Sequence, residues 1–530
     1  MRALVILILV GGWVAAEPPV KMAEQARLQL KVGEGGRPLE DLSLTVDGSW
    51  MDPGALGGTE NDMTFPIDHW RWTSVTIRFR APVGERVDLH LIGPWEEESA
   101  GEVWRQEVLW DDIAGKGTTV INGGFEEGID GWTSPWAPFP AAGEWPLDGR
   151  AVGASWLGRP LVQSLEVVAG QEVELSLRAR AAVPAGVREM KKQSGETPAH
   201  RWAARIKRGV NLGNCWEAPV GSWGVPYTVE DIDRIAAMGF DHVRVPVGWH
   251  HRISEGVLSA DLLGELEPVL KRALDRKLRV ILDWHSYREL EENPDRHQDE
   301  FLAGWKLLAG HFKDWPDELA FEILNEPARR LVGERLNELH TETLKVIRAV
   351  DRGRVVFIDP GKWASADQMG RLWLPDDEDR VIVSFHCYDP FPFTHQEAAW
   401  VDYQNVKDIR FPGPPDPPQS VPESPESLRS WFEAYHARGA TPNPSSIASV
   451  NRLLAKAKAW SETYGRPVHL GEWGCVKNAE EASRKRYASE VRRAIEEHGI
   501  PWCWWEWKVG FGVVDLQSGQ PLLIDELTGK

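Results

Sequence analysis

Two hydrophobic rhythms divide this chain. Between residues 28 and 185 apolar and polar positions alternate in short runs: TSVTIRFRAP (73–82), RVDLHLIG (86–93), EVLWDD (107–112), LVQSLEVV (161–168) and VELSLRARA (173–181). A period of two buries one face of each strand and predicts an antiparallel, jelly-roll-like β-sandwich. From Ile206 onward the alternation gives way to continuous apolar runs: IKRGVNL, HVRVPV, RVILDW, LAFEIL, RVVFID, VIVSFH, VHLGEW and PWCWWEW. A strand covered on both faces needs such a run. Amphipathic helical patterns separate most of the eight, so the expected fold is α/β, a (β/α)8 TIM barrel.

Local signals support the helices between these strands. Thr228 is placed to cap one, with Asp231 three residues on as its capping-box partner. Ile232, Ile235 and Ala236 form its apolar stripe, and Gly239 ends it. A second helix, over 298–312, puts Phe301, Trp305 and Leu308 on one face. The polar, Pro- and Gly-containing stretch between the two rhythms predicts a linker or helical connector. The expected division is 1–16 leader, 28–185 sandwich, 186–204 linker and 205–530 barrel. The Pro-rich stretch 389–445 follows the sixth apolar run and is expected to overhang the barrel mouth, where long loops shape clefts.

Composition narrows the partners. A net charge of −20 argues against nucleic acid and anionic membrane. Twenty-eight tryptophans exceed what packing alone requires, and flat indole rings suit the C–H faces of sugars. The opening MRALVILILVGGWVAA has a cationic start, an apolar run and the small-residue end Val14-Ala15-Ala16. It reads as a secretory signal peptide, too short to span a bilayer, and places the protein outside the cell or in the periplasm. Cys215, Cys387, Cys475 and Cys503 fall in or beside barrel strands. They read as buried thiols, with one bridge left open and no metal-type spacing.

Polar residues gather where the apolar runs end, which in a barrel is the mouth that carries chemistry. The second run ends near Arg244; the third gives His285, the fourth Asn325 and Glu326. His386 and Tyr388 follow the sixth, Glu472 the seventh and Trp505 the eighth. Glu326 and Glu472 together are the two carboxylates that glycosidic cleavage needs. Metal-dependent hydrolysis is disfavoured, because no H-x-H occurs in the chain.

The motifs GVNLGN (209–214), HVRVPV (242–247), DWHSY (283–287), LNEP (324–327), SFHCYDPFPFTHQ (384–396), GEWG (471–474) and WWEWKVGFGVVD (504–515), in this order, resemble glycoside hydrolase family 5 over residues 206–527. That is the large cellulase and mannanase family. The resemblance implies a retaining mechanism with Glu472 as nucleophile, supported by Arg244 and Tyr388, and Glu326 as general acid, then base. It implies that Asn325 binds the sugar 2-hydroxyl, that His285 and His386 hold hydroxyls and orient their neighbours, and that Trp505 floors a subsite. Trp216, Trp223, Trp249 and Trp363 are candidates for further subsites. In the first domain VINGGFEEGIDGW (120–132) resembles the opening of jelly-roll carbohydrate-binding modules, in an order that suggests permuted strands. The expectation is a secreted monomeric hydrolase of polysaccharide, endo-acting on β-1,4-glucan, with no cofactor or metal and no membrane insertion. Mannan or mixed-linkage glucan is an alternative substrate; a non-catalytic polysaccharide-binding protein is the rival from another class.

Overall fold

The structure is a computed structural model. It describes residues 22–530 except 34–36, 54–60, 85, 95–97, 100–101, 104–105, 135–151, 157–158, 185–188, 402, 418–427 and 440. The expected leader, 1–16, lies outside the described residues. Two compact units result, one of residues 1–42 and 53–187, the other of 43–52 and 188–530.

In the first unit the alternation folds as predicted. Thr73–Arg80 pairs antiparallel with Glu172–Ala181, setting Val75 opposite Leu177, Ile77 opposite Leu175 and Phe79 opposite Val173. All six are buried, so the register places every apolar side chain on one face. The chain forms a four-stranded and a six-stranded sheet. Their inner faces meet where the Phe65 ring packs edge-on against Trp110 at 6.4 Å. Pairing begins at Gln25, three residues before the expected boundary. The 120–132 segment is not a strand; it is a run of turns in which Phe125 stacks on Trp132 at 5.3 Å.

In the second unit eight parallel strands close a barrel: Arg208–Asn211, His242–Val247, Arg279–Trp284, Leu319–Glu322, Val356–Ile358, Val381–His386, Val468–Trp473 and Trp502–Trp504. The first and last pair through Gly209 and Cys503. A Cβ at Gly209 would lie 2.4 Å from His242 Nε2 and 2.5 Å from Cys503 Sγ, so only glycine fits there. Around it runs a buried hydrogen-bonded chain: Asp241 to His242 Nδ1 at 2.6 Å, and His242 Nε2 to His469 Nε2 at 3.2 Å.

The helix Val229–Met238 forms as the sequence predicts. Asp231 accepts the Thr228 N–H at 3.0 Å, and Gly239 closes the helix at φ 96°. In the stretch expected to be a linker or helical connector, Pro198–Ala203 is a helix whose Trp202 packs with Ile281, Ala320, Phe357 and Ile382, one residue from each of four strands. The Trp202 indole N–H donates to Asp317 O at 2.9 Å, at the foot of the fourth strand. This helix plugs the N-terminal mouth of the barrel, so the barrel's own structure begins before residue 205. All four cysteines are free and buried. Among the described residues no helix is long and apolar enough to cross a membrane.

Candidate active site

The third, fourth and seventh strands end on charged or amide side chains, and Arg244 stands in the middle of the second strand rather than at its end; all of them meet in one place. Arg244, fully buried, is the hub. Its Nε and Nη2 hold both oxygens of Glu322 at 2.8 and 2.7 Å, a bidentate pair. Nη1 donates to Asn211 at 3.0 Å and to Glu472 Oε1 at 2.7 Å. Nη2 also reaches Asn325 Oδ1 at 2.7 Å and Asp283 at 3.0 Å. Burial works against a guanidinium charge, but the Asp283, Glu322 and Glu472 carboxylates outweigh it and hold Arg244 charged.

Glu472 is aimed by an irregularity in its strand. Phe385 pairs with Leu470, but His386 pairs with Glu472, so Gly471 is an extra residue in the seventh strand. Such a bulge bends a strand and re-aims the side chain that follows. A Cβ on Gly471 would sit 2.4 Å from Ser384 Oγ and 2.9 Å from His386 Nε2. Glycine therefore lets the sixth strand approach closely enough for its polar residues to meet Glu472. The second carboxylate oxygen accepts the Tyr388 hydroxyl at 2.8 Å. Burial raises the Tyr388 phenol well above its ordinary range, and the Glu472 charge adds to this, so it remains a donor.

Glu326 follows the fourth strand with its backbone in the left-handed region, at φ 50°. Its N–H donates to Asp359 Oδ2 at 3.0 Å, which holds that conformation. His386 Nδ1 lies 2.8 Å from Glu326 Oε1 and 3.7 Å from Glu472 Oε2. Burial pushes His386 down to about 4, so at neutral pH the ring is uncharged and its contact with Glu326 is a hydrogen bond rather than an ion pair. Burial pushes Glu326 up to about 7, against the pull of His285 and Arg244 and with a push from Glu322. The nearest oxygens of Glu326 and Glu472 lie within 4.8 Å of each other.

His285 and Trp505 complete the cluster. Asp283, itself raised to about 7 by burial, holds His285 Nδ1 at 2.8 Å, which leaves Nε2 for a ligand. The imidazole stacks on the Trp505 ring, centroids 5.5 Å apart and planes 10° apart. Gly213 makes room for that ring, since a Cβ there would come within 2.7 Å of it. All eight residues singled out in the sequence are thus joined by hydrogen bonds or ring contact.

Four further residues were missed. Asn211, Asp283, Glu322 and Asp359 are all fully buried at the barrel mouth. Glu322 and Asp283 are acids with apolar neighbours on both sides, in AFEIL and VILDW, and that is their signal. Of the four tryptophans named as subsite candidates, two are ruled out by burial. Trp249 is fully buried with its edge on Phe312, and Trp216 packs on Tyr227. Trp223 and Trp363 are exposed, and so is Trp400, in the loop after the sixth strand. That loop is pinned rather than floppy over its described residues. Thr394 donates to Tyr388 O at 2.6 Å, His395 packs edge-on against the Tyr388 ring at 4.9 Å, and Gln396 bridges Phe393 and Ile409.

Comparison with known proteins gives the family. Residues 207–510, more than half of the chain, match the family model for cellulase (glycosyl hydrolase family 5). Endoglucanase H of Acetivibrio thermocellus is 28% identical over 315 residues, 59% of this chain but only 30% of that protein. Endoglucanase C of the same organism is 27% identical over 323 residues, 57% of this chain and 91% of that one. Among solved structures, the endoglucanase Cel5A of the hyperthermophile Thermotoga maritima is 32% identical with a TM-score of 0.54, covering 63% of this chain and 100% of that one. The chain belongs to glycosyl hydrolase family 5.

Proposed function

We propose that this protein is a secreted, retaining endo-β-1,4-glucanase. The observation that carries the reading is the carboxyl pair. Retaining enzymes need the two groups about 5–5.5 Å apart, and inverting ones about 6.5–9.5 Å, to admit a water. Oxygens of Glu326 and Glu472 within 4.8 Å support the closer class. Glu472, with both oxygens accepting hydrogen bonds, attacks the anomeric carbon. Glu326, carrying a proton up to about pH 7, delivers it to the departing glycosidic oxygen. In the second half it takes a proton from water, which cleaves the glycosyl-enzyme. Asn325 and His285 bind hydroxyls of the attacked sugar, and Trp505 lies under its ring.

The endoglucanase relatives support a β-1,4-glucan as substrate. A mannan-type substrate is the second reading, because the T. maritima relative has been solved with mannotriose as well as with cellobiose. Secretion rests on the signal-like residues 2–16, and a carbohydrate-binding role for the sandwich on its motif resemblance. Product profiles on carboxymethylcellulose, mixed-linkage glucan and glucomannan, with the anomeric configuration of the first product read by NMR, test the proposal. Inverted product, or full turnover by Glu472→Gln, refutes it.

A further inference from the structure

Five buried or half-buried carboxyls, Asp283, Glu322, Glu326, Asp359 and Glu472, gather at the barrel mouth, and the one guanidinium among them, that of Arg244, pairs with only three: Asp283, Glu322 and Glu472. Its donors are spent on Glu322, Asp283, Glu472 and two amides, and none reaches Asp359. Asp359 follows the fifth strand, is fully buried, and keeps one oxygen on the Glu326 N–H. Its other oxygen, Oδ1, has no hydrogen-bond partner, and neither has Nε2 of His386. The two groups are neighbours: Asp359 Oδ2, the oxygen that holds the Glu326 N–H, lies 3.9 Å from His386 Nε2. Pairing the unmet atoms requires the carboxyl to turn Oδ1 toward Nε2 while Oδ2 keeps the Glu326 N–H. A buried unpaired nitrogen favours that pairing.

Charge decides who donates. Burial raises Asp359 well above the ordinary carboxylate range, and the neighbouring Glu322 and Asp283 push the same way against Arg244 and the Glu326 N–H. His386, which faces Glu322, Arg244, Glu472 and His285 as well as Glu326, is kept uncharged by burial. A neutral acid facing a neutral imidazole places its O–H on the ring nitrogen that lacks a hydrogen.

Resting on the glycosidase reading above, we propose that Asp359 is a positioning residue for the acid–base glutamate: its carboxyl O–H donates to His386 Nε2 while its other oxygen accepts from the Glu326 main chain. His386 is thereby fixed as the Nδ1–H tautomer and donates to Glu326 Oε1. The proton of Glu326 is left on Oε2, free to pass to the glycosidic oxygen as the C–O bond breaks. With the opposite tautomer, Nδ1 would accept that proton and withhold it from the substrate.

The test compares Asp359→Asn with Asp359→Ala. Asparagine offers an acceptor to the Glu326 N–H and a donor to His386 Nε2, and it cannot ionise. On cellotetraose, whose leaving sugar needs a proton, Asp359→Ala should lose about tenfold or more in kcat with little change in KM. On 2,4-dinitrophenyl cellobioside, whose leaving group needs none, it should lose far less. Asp359→Asn should recover most of what alanine loses, with the alkaline limb of kcat/KM near its wild-type position. If asparagine is as damaging as alanine and moves that limb to lower pH, Asp359 acts as an anion and the proposal fails. Equal loss on both substrates leaves only a structural role and also overturns it. Should the alanine variant not fold, the asparagine pH profile alone decides. Glu326→Ala is run alongside, because absence of leaving-group dependence there refutes the catalytic reading itself.

Discussion

Gly471→Ala perturbs the site without touching any group that reacts. The new methyl would meet Ser384 Oγ at 2.4 Å and His386 Nε2 at 2.9 Å, where ordinary contact starts near 3.4 Å. Ser384 must yield by about 1 Å and His386 by about 0.5 Å, both inside a barrel wall with no exposed surface to move into. Overpacking of this kind costs about 1–3 kcal/mol. The functional cost is separate. His386 holds Glu326, and a misplacement of about 1 Å at a reacting group costs about a hundredfold, so half of that predicts about a tenfold loss in kcat/KM. Differential scanning calorimetry and initial rates on cellotetraose measure the two effects. Adding Ser384→Gly removes the shorter clash only, so melting temperature should recover more than activity does. An alanine variant with wild-type Tm and wild-type kcat/KM refutes the claim that the bulge at Gly471 sets the His386–Glu472 register.

Glu326→Gln should abolish turnover of cellotetraose yet stabilise the fold above neutral pH. A carboxyl raised from 4.5 to about 7 contributes its stability below pH 4.5 and loses it as pH climbs toward 7, so at pH 8 the charged side chain is a burden. With 26% of the side chain still exposed, water screens part of this, and a gain of about 1–2 kcal/mol at pH 8 that vanishes at pH 4 is expected in urea titrations. In wild type the same ionisation should end the activity plateau near pH 7; a plateau unbroken to pH 9 contradicts the assignment. Tyr388→Phe removes a hydrogen bond to a charged acceptor, worth about 1.5–3 kcal/mol, and should lower kcat/KM about tenfold to a hundredfold. Trp202→Ala should cost about 3–5 kcal/mol of barrel stability while sparing kcat, since the plug helix sits at the far mouth.

What could be read from the sequence and what could not follows from how each signal is encoded. The barrel strands are local facts, because a strand covered on both faces must be apolar throughout, and HVRVPV or VHLGEW shows that without its neighbours. The catalytic candidates were readable for the converse reason. A charged residue in such a run costs too much to bury unless partners await it, so Arg244, Glu326 and Glu472 announced a site. Asp359 breaks the same rule at the end of RVVFID, but a lone acid where a run ends does not show which partners await it. Trp249 and Trp363 show the limit from the other side. Both follow barrel strands and both are indoles, yet one is fully buried and the other 62% exposed. Only the packing of Phe312 against Trp249, and the left-handed turn that carries Trp363, separate them. A helical connector was among the expectations for the stretch that carries Trp202, but not its packing under the barrel, since its partners come from four strands distant in the chain. Gly471 is the sharpest case. The residue needed to be small not for its own conformation but because Ser384 and His386, some ninety residues earlier, occupy the space its side chain would take. Local composition reports what each segment can bury; which segments then collide or cooperate is decided only when the barrel closes.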